Sequence, residues 1–161
     1  MTDLETILER FRRGAEMIAA TSAGISGSEA DFSPAPGKWS ARQIVAHLAD
    51  TELVAAERFR RTIAEDTPAL IAFDQDRWAS ALGYGDRRLN DSLDLLRSVR
   101  MANFELLRGL PEATFARTAR HSERGEITLL DMLRTFTNHI DTHAKQIENA
   151  REKFRESKPR G

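Results

Sequence analysis

The chain has 161 residues and a net charge of −1, which favour a single domain with a buried core and argue against a nucleic-acid-binding surface. It contains no cysteine, which excludes disulfides, thiolate metal ligands and a cysteine nucleophile. It shows neither an apolar run long enough to span a bilayer nor a signal-peptide pattern, so we expect a cytoplasmic protein with no membrane partner.

A helix is predicted at the start of the chain, over residues 2 to about 22. Thr2 and Glu5 are spaced as a capping box, in which each side chain accepts a hydrogen bond from a free backbone N–H of the other residue. Apolar residues then recur at helical spacing. The segment 24–38 is rich in glycine and proline and is predicted to be a loop.

A second long helix is predicted to begin at Ser40. Gln43, three residues on, makes a second capping-box pair with it. Pro68 restricts the residues before it, so we expect this helix to end near Glu65.

The second half of the chain is predicted to contain a short helix over residues 74–82 and a long helix over residues 89–107. Gly109 and Pro111 end the long helix. The segment 112–127 shows no regular period and is predicted to be irregular.

The last long helix is predicted to start at Thr128, with Asp131 as its capping partner. The tail 157–161 has no apolar residue and is expected to be frayed or disordered. A single helical domain is therefore expected over residues 1–156.

These patterns predict an all-α protein, a four-helix bundle with short extra helices in the connections. No strand-like alternation of useful length is present. The two irregular stretches leave room for crossover connections, so a simple up-and-down bundle is not assumed.

Histidines occupy the apolar face of two of the long helices. His139 and His143 stand four residues apart, which places their Cβ atoms roughly 6 Å from each other on one face. His47 lies on the core-facing side of the second helix. Imidazoles that face a core need partners, either a backbone carbonyl for each ring or a shared metal ion. His121 is predicted to be a turn residue, with a fourth ligand or an acid–base group as the alternative.

The segment KWSARQIVAHLADTE, residues 38–52, resembles the signature of the DinB-like, or YfiT-like, superfamily of metal-binding four-helix proteins. Three further segments resemble that superfamily in the same order: PALIAFDQDRWA (68–79), HSERGEITLLDML (121–133) and HIDTH (139–143). The D-x-x-x-W element makes the bacillithiol-transferase-like group the most similar branch.

The resemblance implies a divalent metal ion held by His47, His139 and His143, with the remaining coordination positions open to water or substrate. It also implies a homodimer, a small-molecule substrate and an exogenous low-molecular-weight thiol such as bacillithiol or mycothiol. Asn138 and Thr142 depart from the family pattern next to the ligands, which weakens any transfer of substrate or thiol specificity.

Three neutral imidazoles suit zinc or nickel, and the charge of such an ion can activate a water or a thiol. A metal-dependent enzyme, either a thiol-dependent transferase or a hydrolase, is therefore the leading hypothesis. No residue is assigned a catalytic role. The alternative is a non-catalytic, stress-related dimeric binding protein with a structural metal or none.

Asp50 and Asn138 are candidates for orienting the ligand rings through hydrogen bonds. For Asp50 the alternative is a polar group that is either solvated or placed between helices. Arg58, Arg60 and Arg61 could bind the carboxylates of a thiol cofactor, or they could form a charged helix face with pairs such as Glu57–Arg61.

Overall fold

The computed structural model describes residues 1–159 and confirms the all-α class. Its elements in chain order are α1 (Asp3–Thr21), α2 (Gly27–Ala30), α3 (Ala41–Ala64), β1 (Ala69–Leu70), α4 (Gln75–Ala81), a 3-10 turn (Tyr84–Asp86), α5 (Leu89–Arg108), a 3-10 turn (Glu112–Ala116), β2 (Thr118–His121), β3 (Gly125–Thr128) and α6 (Leu129–Glu156). Of the helices in residues 1–159, none is long and apolar enough to cross a membrane.

Three of the four long helices begin at the residues that the capping signals predicted. In each, the side chain of the cap residue accepts a hydrogen bond from the backbone N–H three residues on. The side chain of that third residue accepts a hydrogen bond from the backbone N–H of the cap residue. These pairs are Thr2–Glu5, Ser40–Gln43 and Thr128–Asp131. Because the caps satisfy free N–H groups at each start, the helices begin within a residue of the expected positions.

Helices that follow each other in the chain are not always neighbours in the bundle. α1 contacts α5 and α6, and α3 contacts the same two helices. The consecutive long helices α1 and α3 are therefore diagonal in the bundle, as are α5 and α6. This arrangement makes α3 and α6 neighbours, so the face of α3 that carries His47 meets the face of α6 that carries His139 and His143.

A small three-stranded sheet closes one end of the bundle, and two of its strands lie almost entirely in the segment 112–127 that was predicted to be irregular. β1 runs parallel to β2, with Leu70 opposite His121, and β2 pairs antiparallel with β3. The strands have two to four residues, too few for an alternating pattern to stand out in sequence. The predicted loop 24–38 likewise contains the short helix α2.

The apolar core consists of two large clusters and a small third cluster of Ala46, Ala79 and Tyr84. One large cluster lies toward the sheet and includes Phe11 and Phe59, whose rings meet edge to face. The other large cluster lies toward the opposite end of the bundle and includes Ile44 and Ile147. Both supply the burial that holds the four helices together.

A buried ionic layer separates the two large apolar clusters. Arg100 and Glu52 are 1 % and 2 % exposed, and the Arg100 Nη2 atom lies 2.9 Å from a Glu52 carboxylate oxygen. Arg100 also donates to the backbone carbonyls of Phe11 and Phe136. Asn103 donates to the second Glu52 oxygen at 2.9 Å. The layer therefore joins all four long helices through charge-assisted hydrogen bonds.

The last helix ends at Glu156, directly before the predicted tail 157–161. Arg160 and Gly161 lie outside the described residues, so the flexibility of this tail stays a prediction.

Candidate metal centre

Three histidine rings meet between α3 and α6. The His139 Nε2 atom lies 3.1 Å from His47 Nε2 and 2.9 Å from His143 Nε2. One ring nitrogen of each residue lies within 4.8 Å of the other two, and among residues 1–159 this is the only such group of three or more potential ligands. The tertiary structure thus brings together the three residues that the sequence singled out.

The nitrogen positions fit a single divalent ion. Ligand nitrogens about 2.0–2.1 Å from one ion stand roughly 2.8–3.0 Å from each other in octahedral geometry and roughly 3.3–3.4 Å in tetrahedral geometry. The separations of 3.1 and 2.9 Å lie between these limits. The Nε2 atom of His139 faces two other ring nitrogens, whereas one imidazole nitrogen can make only one good hydrogen bond. A shared ion satisfies all three nitrogens, which hydrogen bonds among the rings do not.

The surroundings keep these rings neutral, as metal ligation requires. Burial lowers the pKa of His47 to about 3, with a further contribution from the charge of His143. Burial also lowers the pKa of His139 to about 3, helped by His143, His47 and Arg100 in that order. Burial lowers the pKa of His143, although its hydrogen bond to Gln146 acts in the opposite direction. The three lone pairs are therefore available near pH 7.

The metal-free protein should lose stability as the pH falls from 6.5 towards 3. In this interval the unfolded chain binds protons at His47 and His139, while the folded chain resists doing so. The free energy of unfolding should fall by up to ~1.4 kcal/mol per pH unit for each ring. Urea unfolding of chelator-treated protein measures this slope. A His47→Gln/His139→Gln variant should show a flatter profile, and an equal slope in both proteins would contradict the assignment.

Gln146 and Trp39 support the cluster, and the sequence analysis assigned neither of them to it. The amide oxygen of Gln146 accepts from His143 Nδ1 at 2.8 Å, which leaves the Nε2 lone pair directed at the cluster. The indole of Trp39 stacks against His143 with an interplanar angle of 10° and lies 4.8 Å from the His47 ring centroid. The i,i+3 spacing of His143 and Gln146 was the one available signal.

Gln146→Leu should weaken metal binding by roughly 10–100-fold, because it removes the bond that selects the tautomer and orientation of His143. Competition with a chromophoric chelator measures the affinity. Asn149→Leu is the matched control, since Asn149 is an exposed amide one turn further along α6. Equal affinities for the two variants would show that the Gln146 bond does not prepare the ligand.

Asp50 and Asn138 make no hydrogen bond to the histidine rings, which corrects the expectation that they orient these rings. The Asp50 carboxylate accepts from Tyr84 Oη at 2.9 Å and from Arg87 Nη1 at 2.6 Å. The charge-assisted bond to a guanidinium is stronger than one to a neutral imidazole N–H. Asn138 lies on the exposed side of α6 and accepts from Arg10 at 3.2 Å. Asp50 therefore links α3 to the segment 84–87, in agreement with the alternative that it is a polar group between packed elements.

His121 lies apart from the cluster, at the end of β2. Its Nδ1 atom accepts from the backbone N–H groups of Glu123 and Arg124 at 3.2 and 3.3 Å. It therefore stabilises the turn between β2 and β3, as expected for a turn residue.

The arginines of α3 differ in their partners. Arg61 pairs with Glu57 at 3.4 Å and with Glu65 at 3.1 Å, which confirms the expected i,i+4 pairing. Arg60 donates to Asn103 at 2.9 Å, at the edge of the buried ionic layer. Arg58 pairs with neither a carboxylate nor a side-chain amide, and it lines a cavity next to the histidines.

Two cavities adjoin the cluster on different sides. A cleft of ≈ 670 Å³ touches His143 beside Trp39 and Gln146. Because His143 Nδ1 is bonded to Gln146, this cleft lies behind the ring. A smaller cavity of ≈ 130 Å³ touches His139 and Thr51. The hydroxyl of Thr51 is 3.5 Å from His47 Nε2, so the smaller cavity opens on the side where the nitrogens converge.

Comparison with known proteins gives matches over most of the chain. The profile of the DinB superfamily matches residues 10–147. The Bacillus subtilis protein YfiT is 28 % identical over 145 residues, which cover 89 % of this chain and 78 % of YfiT. A protein of Oceanobacillus iheyensis is 28 % identical over 131 residues, which cover 81 % of this chain and 76 % of that protein. Both relatives are provisionally named metal-dependent hydrolases.

Solved structures show the same fold. The YfiT structure, described as an unusual four-helix bundle, superposes with a TM-score of 0.89 at 24 % identity, covering 96 % of this chain and 90 % of YfiT. A mycothiol-dependent maleylpyruvate isomerase superposes with a TM-score of 0.71 at 15 % identity, covering 91 % of this chain and 61 % of the isomerase.

Proposed function

Because the chain belongs to the DinB superfamily, we propose that it is a metal-dependent enzyme in which His47, His139 and His143 hold one divalent ion, zinc or nickel. The observation that carries the proposal is the convergence of three ring nitrogens to separations of 2.9 and 3.1 Å. Imidazole ligands suit both metals, and a site with three protein ligands leaves positions for a reactant.

The chain's own residues prepare the site for this chemistry. The three rings stay neutral, Gln146 orients His143, and Trp39 covers one side of the cluster. When bound, a divalent ion on three neutral ligands supplies Lewis acidity, which turns a water or a thiol into a nucleophile near neutral pH. The open side faces the cavity beside Thr51.

Hydrolysis is the reaction that we propose first. The provisional names of YfiT and of the Oceanobacillus protein assign both to the metal-dependent hydrolases. The site also combines a metal-ligand set with a cavity large enough for a small reacting group.

Thiol transfer is the second candidate. The chain has no cysteine, so the protein brings no thiolate that would compete for the ion. The mycothiol-dependent isomerase with the same fold also uses an external thiol according to its name. An exogenous low-molecular-weight thiol would then be the cosubstrate.

Turnover by untagged protein loaded with zinc or nickel tests the proposal. One panel contains small activated esters and amides, and the other contains model electrophiles with an added low-molecular-weight thiol. We expect turnover in one panel that scales with metal content and is lost in His143→Ala. Fully loaded protein that turns over neither panel would overturn the enzymatic proposal in favour of the non-catalytic binding protein.

The homodimer, the cytoplasmic location and the lack of nucleic-acid binding stay predictions. Light scattering behind a sizing column measures the oligomeric state, and a homodimer should give twice the chain mass of 18.1 kDa. A gel-shift titration at low salt should show no binding, because the net charge is only −1.

A further inference from the structure

Two arginines from distant parts of the chain meet at the cavity that opens on the histidines. Arg58 comes from α3, and Arg124 comes from the turn between β2 and β3. The cavity, of ≈ 130 Å³, is also lined by the polar residues Thr51, Thr135 and His139 and by the apolar residues Ile127, Met132 and Phe136. Two guanidinium groups therefore lie in the wall of a largely apolar cavity beside the proposed ligand His139.

Neither guanidinium has an acidic partner. Within residues 1–159, Arg58 and Arg124 lie in no ion pair of 4.0 Å or less, whereas Arg61, Arg87 and Arg100 each pair with a carboxylate. Arg58 donates to the backbone carbonyl of Ile71 at 2.8 Å, and Arg124 donates to the hydroxyl of Thr135 at 3.1 Å. The positive charge on this wall is therefore not neutralised by a bonded carboxylate.

The two charges also act on each other. Burial lowers the pKa of Arg58, the nearby Glu57 opposes this effect, and the charge of Arg124 adds to it. His121 also has its pKa lowered, by burial first and then by Arg58 and Arg124, while Glu123 opposes the effect. Glu57, Glu123 and Arg124 are all exposed, so solvent screens their charges, whereas Arg58 is half-buried. An anion in the cavity would offset the cost of burying the charge of Arg58.

The cavity has an apolar neighbour that shares Arg58. A groove of ≈ 510 Å³ is lined by Arg58, by the apolar residues Leu53, Phe73 and Trp78, and by the carboxylates of Asp50 and Glu57. These two carboxylates pair with Arg87 and Arg61. The rings of Phe73 and Trp78 stack with their centroids 4.3 Å apart. The charged cavity and the apolar groove together match a small molecule with an anionic end and an apolar body. Guanidinium groups bind oxyanions, and aromatic walls bind apolar groups.

We propose that Arg58 and Arg124 bind an anionic oxygen group of the substrate, a carboxylate or a phosphoryl group, while its apolar part lies along Phe73 and Trp78. This inference rests on the proposed function, because the two arginines would hold the anionic group in the cavity that His139 lines, next to the proposed ion. It assigns the substrate to the small anionic molecules with an apolar or aromatic body.

Calorimetric titration with three matched probes tests the assignment. Phenylacetate and phenyl phosphate carry the two candidate anionic groups, and phenylacetamide is the neutral control. We expect the wild-type protein to bind at least one anion and to bind the amide at least tenfold more weakly. The anion that binds more tightly identifies the class of the substrate group.

Arg58→Gln and Arg124→Gln should each weaken binding of that anion by tenfold or more. Arg134→Gln is the matched control. Arg134 is exposed on α6 and does not line the cavity, and its substitution removes the same charge. Arg58→Lys should recover part of the affinity, while circular dichroism checks that every variant is folded. No saturable anion binding by the wild type, or equal affinity in Arg124→Gln and Arg134→Gln, would overturn the proposal.

The titrations are run on metal-free and on metal-loaded protein, with metal content measured separately. If the protein takes up no metal but binds anions through the two arginines, the anion site is supported and the metal-dependent function is refuted. If the protein takes up one metal ion per chain but its anion binding does not depend on Arg58 and Arg124, the anion site is refuted and the metal site is supported.

Discussion

His139→Ala should leave the purified, untagged protein without its divalent ion, whereas wild-type protein should carry close to one ion per chain. The His139 Nε2 atom lies within 3.1 Å of the corresponding atoms of both His47 and His143, so its loss removes the central ligand. The affinity should fall by more than the ~100-fold that losing a supporting hydrogen bond alone can cause. Elemental analysis after dialysis against zinc or nickel measures the content.

His121→Asn is the matched control for this experiment. His121 is the one histidine of the chain outside the cluster, and an asparagine oxygen can still accept from the backbone N–H groups of the turn. The control should keep its ion. Wild-type protein that holds no zinc or nickel, or equal metal loss in both variants, would refute the assignment of the three ligands.

Arg100→Met should lower the free energy of unfolding by about 3–5 kcal/mol, because it leaves the Glu52 carboxylate charged and buried without its partner. Both side chains are at most 2 % exposed. Arg100 also stacks over the Phe11 ring at 4.0 Å and donates to two backbone carbonyls, which the methionine cannot replace. Chemical denaturation of the metal-free proteins measures the loss without interference from the ion.

Arg97→Met tests whether burial is the cause. Arg97 lies one turn earlier on α5 and pairs with Glu16 at 3.0 Å, but the two side chains are 41 % and 68 % exposed. Its replacement should cost less than ~1 kcal/mol. The double variant Glu52→Leu/Arg100→Met should recover much of the stability, since an apolar pair avoids the desolvation of both charges. Similar losses in Arg97→Met and Arg100→Met would contradict this account.

The buried ionic layer was beyond the reach of sequence analysis. Arg100 and Glu52 are 48 residues apart in the chain, and each stands in a long amphipathic helix. A charged residue in such a pattern is predicted to face solvent. Only the packing of α3 against α5 shows that these two side chains meet in the interior.

The supporting residues of the candidate metal centre show a similar limit. Asp50 was a reasonable candidate because it follows His47 by three residues, but Arg87 and Tyr84 take its carboxylate instead. Which neighbour a carboxylate binds depends on the orientation of the next element in space. The pairing of His143 with Gln146 is local to α6, and helical spacing could have identified it.

The sequence by itself determined the four long helices and three of their starts, and it singled out His47, His139 and His143 as candidate ligands. Capping boxes, helical periodicity and the i,i+4 spacing of His139 and His143 depend on residues close together in the chain, so their physical consequences can be read locally. The tertiary structure alone decided the short strands, the partners of Asp50, the buried Arg100–Glu52 pair and the cavity that joins Arg58 to Arg124. Each of these depends on contacts between elements that are far apart in the chain, such as α3 with α5 and β1 with β2. Such long-range contacts are set by the burial of whole helix faces rather than by any short motif.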